Sequence, residues 1–331
     1  MITGKFPSLR LRRSRKNDWS RRLIEENNLT PNDFILPIFL IDGKNKKQSI
    51  KSMPGVYRYS LDKINPIIEK AIKQGLPMIA LFPYTDKKNR NLLGTEALNE
   101  DNLVCKAIRL IKKKFKNEIG IMCDVALDPY TSHGHDGLLD KEYVLNDETV
   151  KILINQSLIQ AQMGCDVLAP SDMMDGRIGE IRKALDKNNF KETRILSYAV
   201  KYASNFYGPF RNAVGSNKNL KFDKKSYQMD YKNSNESFRE IGLDIKEGAD
   251  IVMIKPGLPY LDIIRNIKET FKIPVFAYQV SGEYSLIKFG IKNKLINEDA
   301  IFESLMSLKR AGASAIVTYF ALEIAKKLKI N

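Results

Sequence analysis

Tryptophan occurs once in this chain, histidine twice and cysteine three times. The cysteines (Cys105, Cys123 and Cys165) are odd in number and fit no zinc spacing. They indicate neither a disulfide framework nor a cysteine zinc site, and a reducing cytoplasm is the expected compartment. Cys123 and Cys165 sit in apolar runs and are read as core. No apolar run approaches the ~18 residues that cross a bilayer, and no secretory segment follows the basic start, so no membrane role is expected. The first 22 residues hold one acid, Asp18, against Arg10, Arg12, Arg13, Arg15, Arg21 and Arg22. Little serine and no clear amphipathic stripe argue against a transit peptide. Acids are also the minority overall, with 39 Asp and Glu against 54 Lys and Arg, a net charge of +15. The lysines are spread along the whole length, without a basic stripe carrying interleaved aromatics. They read as solvated helix faces, and no nucleic-acid partner is expected.

What is present is an alternation. Eight short apolar runs recur: Ile35–Ile41, Met78–Phe82, Gly120–Asp128, Cys165–Ser171, Ile195–Lys201, Ile251–Lys255, Pro274–Ser281 and Ala315–Phe320. Nearly continuous apolarity over so few residues fits strands of a buried parallel sheet. Amphipathic patterns lie between most of them, at Leu61–Gln74, Glu100–Lys116, Val150–Gln162, Ser234–Glu247, Leu261–Phe271 and Asp299–Lys309. Four helices are expected to end at Gly75, Gly164, Gly248 and Gly312, each with a strand one to three residues later. Glycine suits that position because the chain often leaves a helix with positive φ. Eight such units in 331 residues imply an α/β fold, a closed (β/α)8 barrel. The alternative is an open doubly wound sheet, and its dinucleotide-binding version is weakened because no G-x-G-x-x-G follows the first run.

Barrel active sites gather at the C-terminal strand ends. Here those ends carry Asp124 and Asp128, Lys201, Lys255, Ser281 and Tyr319. Two lysines directly after apolar runs, in SYAVK and IVMIK, are unusual for a buried strand. Partial desolvation and mutual repulsion are expected to lower their amine pKa values toward neutrality, as imine-forming lysines require. On residues alone, a class I aldolase fits as well as any other imine-forming barrel.

The flanking segments Asp124–Gly137 (DVALDPYTSHGHDG), Ser197–Arg211 (SYAVKYASNFYGPFR), Lys225–Asp230 (KSYQMD), Met253–Ile264 (MIKPGLPYLDII) and Tyr278–Tyr284 (YQVSGEY) resemble the porphobilinogen synthase family, as does the stretch RLRRSRKNDWSRRLIEENNLTPNDFILPIF. The resemblance runs from about residue 8 to about residue 325. It implies a barrel over residues 31–331 and an N-terminal arm, residues 1–30, that wraps a neighbouring subunit in a homo-octamer. It also implies condensation of two molecules of 5-aminolevulinate to porphobilinogen. By the same resemblance Lys255 forms the Schiff base with the first substrate and Lys201 with the second. Ser281 and Tyr319 hold the first carboxylate. Arg211 and Lys224, assisted by Gln228, hold the second. Arg211 and Lys224 lie in a long polar stretch, residues 211–234, which reads as a loop or a functional lid.

The zinc-dependent branch of the family has three cysteines where this chain has Ala126, Asp128 and Asp136. Without thiolates, no catalytic zinc is expected. Asp124, Asp128 and Asp136 are candidates for proton transfer. His133 and His135 lie in the same loop but lack a third ligand, so they read as loop residues. Glu240, on the helix before the sixth strand, matches the family's allosteric magnesium ligand, and magnesium is the one metal expected.

Overall fold

The structure, a computed structural model, describes residues 4–215 and 222–329. Its centre is a closed ring of eight parallel strands: β1 (Phe34–Ile41), β2 (Met78–Tyr84), β3 (Gly120–Val125), β4 (Val167–Pro170), β5 (Arg194–Lys201), β6 (Ile251–Lys255), β7 (Val275–Tyr278) and β8 (Ala315–Val317). Each pairs with the next, and β8 closes on β1 through Phe34 opposite Ile316 and Ile35 opposite Val317. The eight expected runs are these eight strands, arranged as the (β/α)8 barrel. Their apolarity follows from burial on both faces: Phe34, Phe39, Leu40, Ile79, Cys123, Leu168, Ile254 and Ile316 are all shielded from solvent.

The helix-to-strand junctions behave as the glycines suggest. Gly75, Gly164, Gly248 and Gly312 have φ of 81°, 102°, 106° and 117°, a region closed to most side chains. Asn102 caps the helix Leu103–Phe115, its side chain accepting from the Cys105 N–H. The outer helices Asn146–Gln162, Asn235–Glu247, Leu261–Phe271 and Asp299–Ala311 lie where the periodicity puts them. Four further helices escaped that reading: Arg177–Lys187, Gly208–Val214, Ser281–Lys292 and Ala321–Leu328. The first is mostly charged, the second opens on Gly-Pro, and the third carries glycine near both ends, so their local signal is weak.

Several expected strand ends shift. β3 stops at Val125, leaving Asp128 in the turn beyond it. β7 stops at Tyr278, so Ser281 opens the next helix, and β8 stops at Val317, two residues before Tyr319. Ahead of β1 the short helices Arg12–Arg15 and Asp18–Leu23 bury no residue, and Phe6, Leu11, Trp19 and Leu23 are exposed. No helix among the described residues is long and apolar enough to cross a membrane.

One irregularity bears on the site. Val252 of β6 pairs with Ser197 of β5, but Ile254 pairs with Val200, so β5 carries one extra residue in a bulge. Beyond the bulge, Lys255 stands opposite Lys201.

Candidate active site

The two lysines meet at the C-terminal mouth of the barrel, both buried. They line a cavity of about 30 Å³ together with Asp124, Asp128, Asp136, Arg211, Lys224 and Gln228. Side chains separated by a hundred residues thus converge on one point, as the strand ends of a barrel allow.

Lys255 sits in an aromatic cage. Its Nζ lies 4.6 Å from the ring centre of Tyr278, 5.0 Å from Tyr198, 5.1 Å from Phe210 and 5.4 Å from Tyr207. Burial first, and the Lys201 ammonium second, push its amine down to about 7.

Lys201 departs from expectation. Its Nζ donates to Asp136 Oδ1 at 3.0 Å and to the Ser171 carbonyl. Burial alone depresses the amine, but Asp136, Asp128 and Asp124 outweigh it and hold the pKa above the ordinary lysine value. The expectation that both amines are lowered is therefore corrected. Only Lys255 is lowered, because the carboxylates lie on the Lys201 side.

The three aspartates divide in the same way. Asp136 Oδ2 accepts from Lys224 Nζ at 2.6 Å and from Tyr227 Oη at 2.8 Å. Burial opposes its ionisation, but Lys201 and Lys224 prevail and keep it ionised well below the usual carboxylate range. Asp124 is pushed up to about 6 by burial and then by Asp128, and its Oδ1 is buried with no hydrogen-bond partner. Asp128 is raised by burial and by Asp136.

Arg211 lies on the helix Gly208–Val214 rather than in a loop, which corrects that part of the 211–234 reading. Residues 216–221 of that stretch lie outside the described residues. Lys224 and Gln228 are in the turn that follows, where the Gln228 N–H donates to the Lys224 carbonyl at 2.8 Å. Ser281 and Tyr319 flank the cavity without lining it. Ser281 Oγ accepts from the Phe210 N–H at 2.8 Å, and Tyr319 Oη is 3.1 Å from Tyr278 Oη. His135 Nδ1 lies 3.1 Å from Tyr227 Oη and its ring stacks on Phe222. Burial, then Lys224, lowers the His135 ring to about 4, so it stays neutral.

Glu240 lies away from the lysines, in a cleft of about 340 Å³ with Asp175, Glu236 and Asn233. Burial raises its carboxyl to about 7; Arg177 opposes the rise, and Asp244, Asp175 and Glu236 add to it. Among the described residues no group of three or more His, Cys, Asp or Glu side chains is placed to hold a metal.

The aromatic cage, Tyr227 and Ser171 escaped the sequence reading. Tyr227 sits inside KSYQMD, beside Gln228, and an aromatic hydroxyl between two polar site residues was the available signal.

A family model described as delta-aminolevulinic acid dehydratase matches residues 8–327. The delta-aminolevulinic acid dehydratase of Bradyrhizobium diazoefficiens is 55% identical over 323 residues, covering 97% of this chain and 91% of the relative. That of Methanothermus sociabilis is 47% identical, covering 98% of this chain and 100% of the relative. A crystal structure of the Toxoplasma gondii enzyme, in complex with its reaction product porphobilinogen, is 44% identical. It superposes with a TM-score of 0.94 over 96% of this chain and 91% of that one. The chain belongs to the delta-aminolevulinic acid dehydratase (porphobilinogen synthase) family.

Proposed function

We propose that the two lysines divide the family's reaction between them, with Lys255 acting first as the nucleophile. The chain is a lyase of tetrapyrrole biosynthesis that joins two molecules of 5-aminolevulinate into porphobilinogen with loss of two waters. The observation that carries the division is the asymmetry of the amines, one near neutrality in an aromatic cage and the other held charged by carboxylates.

In this scheme the neutral Lys255 amine attacks the ketone of the first substrate, and water leaves to form an iminium. Ser281 and Tyr319 hold that substrate's carboxylate. Arg211, Lys224 and Gln228 hold the second carboxylate. Drawing Lys224 toward the substrate weakens its hold on Asp136, and Asp136 can then take the Lys201 proton and free that amine for the second imine. Each iminium withdraws electrons from the adjacent carbon, which then loses a proton. Asp124 suits that proton transfer best, since it has the raised pKa and the unpartnered oxygen. Asp136 is committed to the Lys201 proton, and Asp128 is raised by burial and by Asp136. Holding both substrates by their carboxylates supplies orientation.

The hard-oxygen donors at positions 124, 128 and 136 favour a reaction without catalytic zinc. Magnesium fits elsewhere. Glu240, with acidic neighbours and a raised carboxyl, suits an ion that takes one or two carboxylates and keeps most of its waters. Bound there, it would neutralise that acidic cleft; no step of the chemistry passes through it. The exposed apolar residues of the arm suit subunit contacts in a homo-octamer, and a cytoplasmic location suits three reduced cysteines.

The test is porphobilinogen formation after chelator treatment, with and without added magnesium, followed by borohydride trapping of the first substrate. Product without zinc and a single labelled lysine at position 255 are expected. Label on Lys201 alone overturns the order, and a strict zinc requirement overturns the metal reading.

A further inference from the structure

The helix Gly208–Val214 carries Arg211 and Phe210, follows β5, and reaches across the barrel mouth to β1 and β2. There Phe210 packs 5.7 Å from the Phe39 ring and 5.4 Å from the Phe82 ring. A seven-residue helix ends on carbonyls with no partner of their own kind, and such ends need donors from elsewhere. Here two buried arginines supply them in sequence. Arg58 donates through Nη2 to the Asn212 carbonyl and through Nε to the Ala213 carbonyl, each at 2.5 Å. Arg90 donates through Nη2 to the Val214 carbonyl at 2.9 Å and through Nη1 to the Gly215 carbonyl at 3.0 Å. Four consecutive carbonyls are thereby capped by two guanidiniums.

The clamp is itself anchored. Arg58 belongs to the short strand Tyr57–Tyr59 and also donates to Gln48 Oε1 at 2.9 Å. Arg90 donates to the Thr85 carbonyl through Nε at 3.0 Å and Nη2 at 2.8 Å. Both guanidiniums lie against the Tyr84 ring at the end of β2, at 4.5 Å and 5.8 Å from its centre. Gly215 closes the assembly. Its φ is 74°, and a Cβ there would sit 2.5 Å from Tyr84 Cε2 and 3.1 Å from Arg90 Nη2. Planar forks that bridge two acceptors each, with cations at the negative end of a helix, are a task lysine does poorly.

We propose that Arg58 and Arg90 are positioning residues for the reaction: they fix the helix end so that Arg211 faces the second substrate's carboxylate and Phe210 stays against Lys255. This rests on the reading of Arg211 as a carboxylate-binding residue. At the N-terminal end the same helix is tied by the Phe210 N–H to Ser281 Oγ, so the arginines complete a two-point mount.

The test compares Arg58→Met, Arg90→Met and Arg90→Lys in the full-length enzyme. Each Met variant is expected to raise KM for 5-aminolevulinate about 10-fold while kcat changes less, because a helix released from its clamp holds Arg211 less well against bound substrate. Borohydride trapping at Lys255 is expected to survive. Arg90→Lys, which keeps a cation at the helix end, recovers part of the KM, an ordering that a space-filling role does not give. If Arg90→Met fails to fold, Arg90→Lys is read alone, and a wild-type KM in it overturns the proposal. Hydrogen exchange at the amides of residues 212–215 reads the clamp without turnover. Faster exchange in the variants beside an inactive wild type rejects the functional reading and keeps the clamp. Unchanged exchange and unchanged KM beside an active wild type reject the clamp.

Discussion

Replacing Lys255 by Met should make this enzyme inactive and more stable, by an amount that depends on pH. An amine held at about 7 in the fold returns to 10.5 when the chain unfolds. The unfolded chain therefore binds an extra proton between those values, and the penalty on folding is full below pH 7 and fades as pH rises toward 10.5. At ~1.4 kcal/mol per pKa unit, the penalty is ~4 kcal/mol at pH 7 and ~1 kcal/mol at pH 10. The surrounding rings attract the ammonium by roughly 0.5–2 kcal/mol, which trims the difference without removing its slope. Methionine matches the buried stem and suits an aromatic lining. Urea unfolding of both proteins at equal concentration, at pH 7 and pH 10, measures the two gaps. A stability difference that stays constant across that range refutes the claim that the fold holds this amine neutral.

The same amine sets an activity profile. The acid side of kcat/KM against pH should rise through about 7 in the free enzyme, and a profile flat from pH 6 to 8 would point to another nucleophile. Asp136→Asn leaves the buried Lys201 ammonium and the part-buried Lys224 ammonium without their shared carboxylate and should cost ~3–5 kcal/mol in denaturant unfolding, as broken buried pairs do. It should also let the Lys201 amine fall, since Asp136 is the leading influence raising it; a wild-type midpoint would show that the pair contributes nothing. Glu240→Ala should abolish stimulation by added magnesium and spare basal turnover, and an unchanged magnesium response in steady-state rates sinks that assignment.

Much of the barrel was legible because its signals are local. The strands are short and apolar, and the glycine at each of four junctions answers a backbone requirement that neighbouring residues reveal. The lysines were legible for a related reason: a charge at the end of an apolar run is a local anomaly. The charge state of Lys201 was not, because it depends on Asp136, whose position relative to the strand exists only once the barrel closes. The cage around Lys255 was equally hidden. Tyr198, Tyr207, Phe210 and Tyr278 come from four separate elements, and each alone reads as ordinary core. The helix holding Arg211 was masked by its Gly-Pro opening, and nothing near Arg58 or Arg90 in sequence hints that their partners lie more than a hundred residues away.

The bulge in β5 has a consequence for the geometry of the site. Side chains of a strand alternate between faces, and counted regularly from Ser197 opposite Val252 it is Val200 that would stand opposite Lys255; the bulge takes up the extra residue of β5 and brings Lys201 there instead. With the bulge in place, the gap between neighbouring strands, ~4.8 Å, acts as a ruler for the separation of the two lysines. Loops can be exchanged and lids rebuilt around that ruler, but the spacing of the two lysine-bearing positions is set by the backbone itself.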